Sequence, residues 1–248
     1  MANKNLKVGT WNIYNGLPWG FSIVADSSRV DKIIDHINNS NLDIIALQEV
    51  GNKILVNNLK NKLENIYDFY YTEKNIIIQY CILFIILFLL YYFIKNVMGL
   101  CLMFLLDILN IINKRGYQKL DILLGNDNVS IVNCHLNYSS EKCCHREQQI
   151  KELELLGNKY NHCILLGDFN TIPENNEIRL DEFTDILKDS SEFTWDSNNY
   201  LTQTCLSKSL NRRIDYIFIK NLQLKSSNII FKQPIASDHY GVCAEIFI

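Results

Sequence analysis

The chain has 248 residues, which is enough to bury a sizeable core in one large domain or two small ones. Its formal net charge of -3 excludes a general attraction to nucleic acid or to an anionic membrane, although a metal and a local basic cluster would still serve a nucleic-acid substrate. The eight cysteines include no CxxC pair and residues 1–4 carry no secretory signal, which together predict reduced thiols in an intracellular protein.

The first two predicted strands each lead to a polar residue. The apolar run 6–10 leads to Asn12, and the apolar run 42–47 leads to Glu49. Two helices are predicted in the same part of the chain from the spacing of their apolar residues: one capped by Ser27 or Ser28 and closed at residues 38–41, and one at residues 53–66.

Residues 75–113 break this alternating pattern. The run 76–94 is almost wholly apolar and about long enough to cross a bilayer. The run 97–112 is shorter and carries Asp107, whose insertion at a helix centre costs roughly 2.5–3.5 kcal/mol. Three interpretations stay open: a membrane-associated insertion, a stretch altered by a frameshift, and an unusual buried or interfacial helical pair. We expect this block to be helical, and a single membrane crossing is excluded if both halves of the chain share one site.

Strands and helices resume after this block. Two apolar runs on either side of a turn at 125–128 predict a hairpin, whose return strand ends in His135. The polar stretch 172–211 is loop-like, with a short helix near residues 183–187. The other predicted elements are the hairpin strands 119–124 and 129–134, a helix at 141–160, and strands at 164–166, 213–219, 229–231 and 242–247.

Two of these strands have a carboxylate at or near one end. Asp168 and Asn170 come directly after the strand 164–166, and alternate residues of an extended chain point the same way, so both side chains should project together. Asp215 shares one face of its strand with two isoleucines. A carboxylate on an apolar face should be buried, and a buried charge needs a partner.

Eight polar residues near strand ends are predicted to converge on one face of the domain: Asn12, Glu49, His135, Asp168, Asn170, Asp215, Asp238 and His239. Hard oxygen ligands without cysteine suit Mg²⁺ or Mn²⁺. Two histidines, one of them beside a carboxylate, suit proton transfer and the stabilisation of phosphate oxygens. The sequence has no glycine-rich phosphate loop and no serine-nucleophile motif, so nucleotide-driven transfer is not expected.

Six short motifs contain these residues, in this order along the chain: GTWN at 9–12, LQEV at 47–50, NCHL at 133–136, LGDFN at 166–170, RIDYI at 213–217 and SDH at 237–239. Together they resemble the endonuclease/exonuclease/phosphatase superfamily, which includes deoxyribonuclease-like nucleases and neutral sphingomyelinases. The resemblance implies an α/β (α+β) fold, a four-layered sandwich of two mainly antiparallel sheets flanked by helices. It implies one domain over residues 1–248, in which 75–113 is an atypical apolar segment.

The resemblance also implies a metal-dependent phosphoesterase that uses Mg²⁺ or Mn²⁺. Glu49 is then the principal metal ligand, with Asn12 and Asp238 nearby. Whether one or two metals bind is left open by the sequence.

The other motif residues take roles in the attack of water on phosphorus, again by resemblance. His239 would be the base or the phosphate-polarising group, held in its tautomer by Asp215. Asp168 would orient or deprotonate the attacking water, and Asn170 and His135 would hold phosphate oxygens.

The motifs indicate the reaction class better than the substrate. The first hypothesis is a phosphodiesterase that acts on nucleic acid, and the second is a neutral sphingomyelinase-like lipid phosphodiesterase at a membrane. The apolar block and the ending Ser237–Gly241 slightly favour the lipid, with membrane contact through residues 76–112. A third hypothesis is a catalytically impaired family member that acts as a membrane or interaction module. The local basic group near a motif consists of Lys208, Arg212 and Arg213, beside RIDYI. The sequence does not indicate the oligomeric state.

Overall fold

The structure is a computed structural model, and the described elements all belong to one structural unit formed by residues 1–69 and 116–248. The structure describes residues 5–14, 27–50, 53–69, 116–138, 143–202 and 211–248. The predicted apolar segment at 75–113 lies outside the described residues, so its predicted helical form and the single-domain assignment over the whole chain stay predictions. None of the helices in the described ranges is long and apolar enough to cross a membrane.

The described elements follow the predicted order closely. The strands are β1 (Asn5–Asn12), β2 (Ile44–Gln48), β3 (Tyr117–Leu124), β4 (Asp127–His135), β5 (His162–Asp168), β6 (Thr184–Asp185), β7 (Asp215–Lys220), β8 (Gln223–Ile230) and β9 (Gly241–Phe247). The helices are α1 (Ser27–Asn39), α2 (Lys53–Leu63), α3 (Cys144–Gly157) and a short 3-10 helix (Pro173–Asn175).

The strands form two sheets. The first has four strands in the order β2-β1-β9-β8, and the second has five in the order β3-β4-β5-β7-β6. The pairs β1/β2 and β4/β5 are parallel and the other pairs are antiparallel. The prediction of two mainly antiparallel sheets is therefore confirmed.

The two sheets pack face to face. Because alternate residues of each strand point to opposite faces, one apolar set of each sheet faces the other sheet. In the second sheet, Ile131, Ile164 and Ile217 face the first sheet, in one buried cluster with Val8 and Val242. This cluster is the central core of the sandwich.

The helices cover the outer faces of the two sheets. On the first sheet, Ile33 and Ile37 of α1 and Leu59 of α2 share a buried cluster with Trp11. On the second sheet, Ile150 and Leu153 of α3 share a cluster with Val132, Leu165 and Phe218. These three strand residues alternate with those that face the central core. The resulting order of helices, sheet, sheet and helix is the predicted four-layered sandwich.

One local prediction was wrong, and the bounds of one predicted strand differ from those observed. The short helix expected near 183–187 is instead β6, whose Thr184 and Asp185 pair with Ile219 and Phe218 at the edge of β7. The backbone pairing offered by that edge outweighed the weak local helical pattern. The strand predicted at 229–231 begins earlier, at Gln223, because the polar first part of β8 is an exposed edge strand without apolar alternation.

A buried ion pair fixes α3 to the loops that follow β4 and β5. Arg146 donates to Glu177 at 2.6 and 2.8 Å, and both side chains are 0% exposed. Arg146 also donates to the carbonyl of Asn137, and Glu177 accepts from the backbone N–H of Cys143. These bonds hold the chain just after His135, which is the last residue of β4.

We expect Glu177→Gln to lower the free energy of unfolding by about 3–5 kcal/mol, because it leaves the buried charge of Arg146 without its partner. Urea unfolding followed by circular dichroism measures the change. The matched control is Glu245→Gln, which breaks the exposed pair with Lys225 and should change stability little. Equal effects of the two substitutions would show that the buried pair does not stabilise the fold.

Candidate active site

The register of the sheets places the predicted residues at one edge of the sandwich. In the first sheet, the parallel pairing sets Asn12 opposite Gln48, so Glu49 follows directly beside it. In the second sheet, Asp168 lies opposite both His135 of β4 and Asp215 of β7. The parallel strands end at this edge and β7 begins there, which is why residues distant in sequence meet.

The end of β5 requires glycine. Gly167 has φ 139°, and a Cβ there would lie 1.9 Å from the carbonyl oxygen of Cys134 in β4. No side chain fits at this distance, so Gly167 allows the close approach of β4 to the residue before Asp168.

Asn12 joins the two sheets at the site. Its Nδ2 donates to Glu49 Oε1 at 3.2 Å and to Asp168 Oδ2 at 3.0 Å. Its Oδ1 accepts from the backbone N–H of Tyr14 at 3.0 Å. His135 Nε2 lies 3.4 Å from Asp168 Oδ2 and 3.8 Å from Glu49 Oε1. Four of the eight predicted residues are thus in direct contact.

His239 and Asp215 form a buried pair. His239 Nδ1 lies 2.8 Å from Asp215 Oδ2, and His239 Nε2 lies 4.0 Å from Asp168 Oδ2. Although burial opposes the charged imidazole, the carboxylates of Asp215, Asp238 and Asp168 together raise the pKa of His239 well above its ordinary value. Asp215 therefore has the partner that its buried position requires.

Two residues of the long polar loop support this pair. The hydroxyl oxygen of Thr194 accepts from the backbone N–H groups of Ile214 and Asp215. The ring of Trp195 contacts the ring of His239 edge-on, with centroids 5.0 Å apart. No sequence pattern predicts this contact, because the loop between β6 and β7 has no periodicity.

Asn170 is held by the residues around it. Its backbone N–H donates to Asp168 Oδ1 at 2.8 Å, and its Nδ2 donates to the carbonyl of Leu136 at 3.0 Å. Its φ of 51° turns the chain directly after Asp168. The amide therefore lies between the end of β5 and the chain after His135.

Asp238 is 2% exposed and accepts from the hydroxyl of Ser237 at 3.3 Å. The same hydroxyl donates to the backbone carbonyl of Asn12 at 2.6 Å, which ties Asp238 to the end of β1. Burial, opposed by the charge of His239 and reinforced by that of Glu49, raises the pKa of Asp238 to about 7. All eight predicted residues therefore belong to one connected group.

The donor set fits a divalent cation. Glu49 and Asp238 repel each other electrostatically, and Asn12 Nδ2 points a partial positive charge at Glu49 and Asp168. The charge of His239 only partly offsets this concentration of negative charge, since the pKa of Asp238 stays raised, and oxygen ligands suit Mg²⁺ or Mn²⁺. Asp168, Asp215 and His239 also present ligand atoms within 4.8 Å of one another. In that trio, however, Asp215 and His239 already bind each other.

The pKa of Asp238 predicts how a cation should stabilise the protein. Between its usual value of 3.8 and about 7, the folded state binds more protons than the unfolded state, so stability without metal should fall as pH rises through this window. A cation that binds the ionised carboxylate should offset this loss. We expect the rise in Tm produced by Mn²⁺ to be larger at about pH 8 than at about pH 5. A Tm rise independent of pH would contradict a role for Asp238 in cation binding.

Comparisons with known proteins agree with the fold and the motifs. The profile of the Endonuclease/Exonuclease/phosphatase family matches residues 9–239. The chain belongs to this family, whose members are metal-dependent phosphoesterases. A search of curated protein sequences finds no match.

Solved structures with a similar fold include three from different organisms. Truncated TDP2 from Caenorhabditis elegans has 19% identity and a TM-score of 0.66, with 98% of each chain covered. TDP2 from D. rerio complexed with single strand DNA product has 13% identity and a TM-score of 0.68, with 98% of each chain covered. Beta toxin from Staphylococcus aureus has 15% identity and a TM-score of 0.65, with 96% of this chain and 99% of that chain covered.

Proposed function

We propose that this protein is a phosphodiester hydrolase that depends on Mg²⁺ or Mn²⁺. The observation that carries the proposal is the single network in which Asn12 and His135 each contact both Glu49 and Asp168, while His239 lies against both Asp168 and Asp215. Acidic oxygens, an oriented imidazole and an amide within one buried edge are the groups that hydrolysis of a phosphodiester requires.

Glu49 and Asp238 would hold the cation through their carboxylates, and Asn12 would join them by turning its amide so that Oδ1, which accepts from Tyr14, faces the cation in place of Nδ2. Bound there, it would neutralise the charge that develops on the phosphate and on the leaving oxygen. The chain contributes by keeping Asn12 and Asp238 buried, with Glu49 partly exposed, and by joining the three through the Ser237 hydroxyl and the Asn12 amide.

Asp168 and His239 would activate the water. In the reaction, the water oxygen forms a bond to phosphorus, the bond from phosphorus to the leaving oxygen breaks, and that oxygen keeps the electron pair. The proton lost by the water goes to Asp168 Oδ2, which lies 4.0 Å from His239 Nε2, because the raised pKa of His239 makes its imidazole the poorer proton acceptor. Asn170 and His135, held against Asp168, would contact phosphate oxygens.

Asp215 would act through His239 and not on the cation. Because Asp215 Oδ2 binds His239 Nδ1, the other ring nitrogen is the one left for the reaction. We expect Asp215→Asn to lower kcat while the affinity for Mn²⁺, measured by calorimetry without substrate, stays unchanged. Asp121→Asn, in the exposed strand β3, is the control. A large loss of Mn²⁺ affinity in Asp215→Asn would show that this assignment is wrong.

Nucleic acid is the substrate that we favour. Arg213 gives no support for this, because it is 8% exposed and binds Asp185 instead of facing solvent. Two exposed rings near the site do support it, since base stacking on aromatic side chains holds single strands. Tyr138 follows His135 and is 52% exposed, and Tyr200 is 53% exposed and adjoins Asn199, which donates to the carbonyl of Ser237. The TDP2 structure with single strand DNA product has the same fold.

A phospholipid is the second candidate, and the apolar run at residues 76–112 is the observation that favours it. The two are separated by one panel: purified protein with Mg²⁺ against single-stranded DNA, RNA, sphingomyelin vesicles and inositol phosphates. Cleavage of nucleic acid alone supports the first proposal, and cleavage of sphingomyelin alone supports the second. If nothing in the panel is cleaved, the third hypothesis of an impaired interaction module replaces both.

A further inference from the structure

The two chain segments that carry Asn12 and Asp238 are not joined by strand pairing. The ladder between β1 and β9 ends at Thr10 opposite Val242, before either site residue is reached. Beyond that point the segments at 11–13 and 236–239 still run beside each other. Side chains must therefore hold them together.

Three side chains make these connections. Trp11 Nε1 donates to the carbonyl of His239 at 3.0 Å, and the Ser237 hydroxyl donates to the carbonyl of Asn12 at 2.6 Å. Arg29, in the first turn of α1, reaches both segments with one nitrogen. Its Nη1 donates to the carbonyl of Ile13 at 2.6 Å and to the carbonyl of Ala236 at 3.0 Å.

Arg29 is a buried cation, 5% exposed, beside a buried acidic site. Burial lowers the pKa of Arg29, while the carboxylates of Asp238 and, more weakly, Glu49 act to raise it. Both carboxylates thus lie within electrostatic range of the guanidinium. Ile13 directly follows Asn12, and Ala236 comes two residues before Asp238.

We propose that Arg29 is a positioning residue for the cation site: by binding the carbonyls of Ile13 and Ala236, its guanidinium sets the separation of Asn12 and Asp238. This inference rests on the proposed function, because it takes Asn12, Glu49 and Asp238 as the ligands. Planar guanidinium groups suit the role, since they present several donors in fixed directions.

The sign of the change in cation affinity separates positioning from a simple charge effect. If Arg29 acted only as a nearby positive charge, its removal would strengthen the binding of a divalent cation. If it positions the ligands, its removal should weaken binding even though a repelling charge has been lost. Supporting groups around metal ligands typically account for 10–100-fold in affinity.

The test measures Mn²⁺ binding by electron paramagnetic resonance of the unbound ion, with full-length protein and no substrate. We expect Arg29→Gln and Arg29→Lys both to weaken Mn²⁺ binding by about 10–100-fold while each still melts cooperatively in EDTA. Lysine keeps the charge, but its nitrogen lies one bond nearer the main chain than Nη1 and lacks the fixed directions of the guanidinium donors, so it should not reach both carbonyls. The matched control is Lys220→Gln, which removes another buried cation at the opposite end of β7 from Asp215 and should leave Mn²⁺ binding unchanged.

Three results would overturn the inference. Tighter binding in Arg29→Gln with unchanged binding in Arg29→Lys would show a charge effect only. Unchanged binding in both variants, or failure of both to fold, would show that Arg29 serves the fold and not the site. If the wild-type protein binds no Mn²⁺, the proposed cation site falls together with the role of Arg29, whereas the other outcomes leave the proposed function intact.

Discussion

His239→Ala is expected to lower kcat by about 10²–10⁴-fold, which is the range that a positioned acid or base contributes. His239 is 4% exposed, its Nδ1 is bound by Asp215, and its Nε2 lies 4.0 Å from Asp168. Alanine removes the imidazole and leaves the buried Asp215 without its partner. Cleavage rates at saturating Mg²⁺ measure the effect on the substrate that the panel identifies.

The control for this substitution is His162→Ala. His162 begins β5, at the far end of the strand from Asp168, and its Nδ1 contacts the carbonyl of Asn221. We expect this variant to keep the wild-type rate. Full activity in His239→Ala with normal cation dependence would refute the proposed water activation, because no other described residue links Asp168 to Asp215 in the same way.

Glu49→Gln is expected to weaken Mn²⁺ binding by at least about 100-fold, since even outer-shell partners of a metal typically account for 10–100-fold. Glutamine has nearly the same shape, so its amide oxygen can still accept from Asn12 Nδ2 as Glu49 does at 3.2 Å. What is lost is the negative charge that the cation would need. Calorimetric titration with Mn²⁺ measures the affinity without any substrate.

Glu245→Gln is the control for the loss of a carboxylate. Glu245 lies in β9, near the opposite end of the strand from Asp238, and pairs with Lys225 at 2.8 Å. It should leave Mn²⁺ affinity unchanged. Wild-type affinity in Glu49→Gln would mean that the cation, if it binds, uses the trio of Asp168, Asp215 and His239 instead.

Much of the fold follows from local pattern. Apolar runs that end in a polar residue predicted β1, β2, β4 and β5, because a strand buried on one or both faces must be apolar until it leaves the core. The buried position of Asp215 also followed from pattern, since it shares a strand face with isoleucines and is 0% exposed. The six motifs, taken in their order, indicated that the two halves of the chain form one site, which no local pattern predicts.

Other features depend on contacts that no local pattern records. β6 forms only because it pairs with the free edge of β7. The start of β8 is polar because it is exposed at the edge of its sheet. Arg29 looks like an ordinary polar residue at the start of an amphipathic helix. Its two carbonyl partners lie 16 and 207 residues away along the chain, so only the folded structure shows what it binds. Thr194 and Trp195 were missed for the same reason.

The most direct test of the account is the Mg²⁺-dependent cleavage of single-stranded DNA, measured with wild-type protein and with His239→Ala in Mg²⁺ and in excess EDTA. The account predicts cleavage by the wild-type protein in Mg²⁺, none in EDTA, and a rate at least about 10²-fold lower in the variant. Cleavage that persists in EDTA, or that is equal in His239→Ala, would contradict the claim that the buried edge formed around Asp168 is a cation-dependent active site.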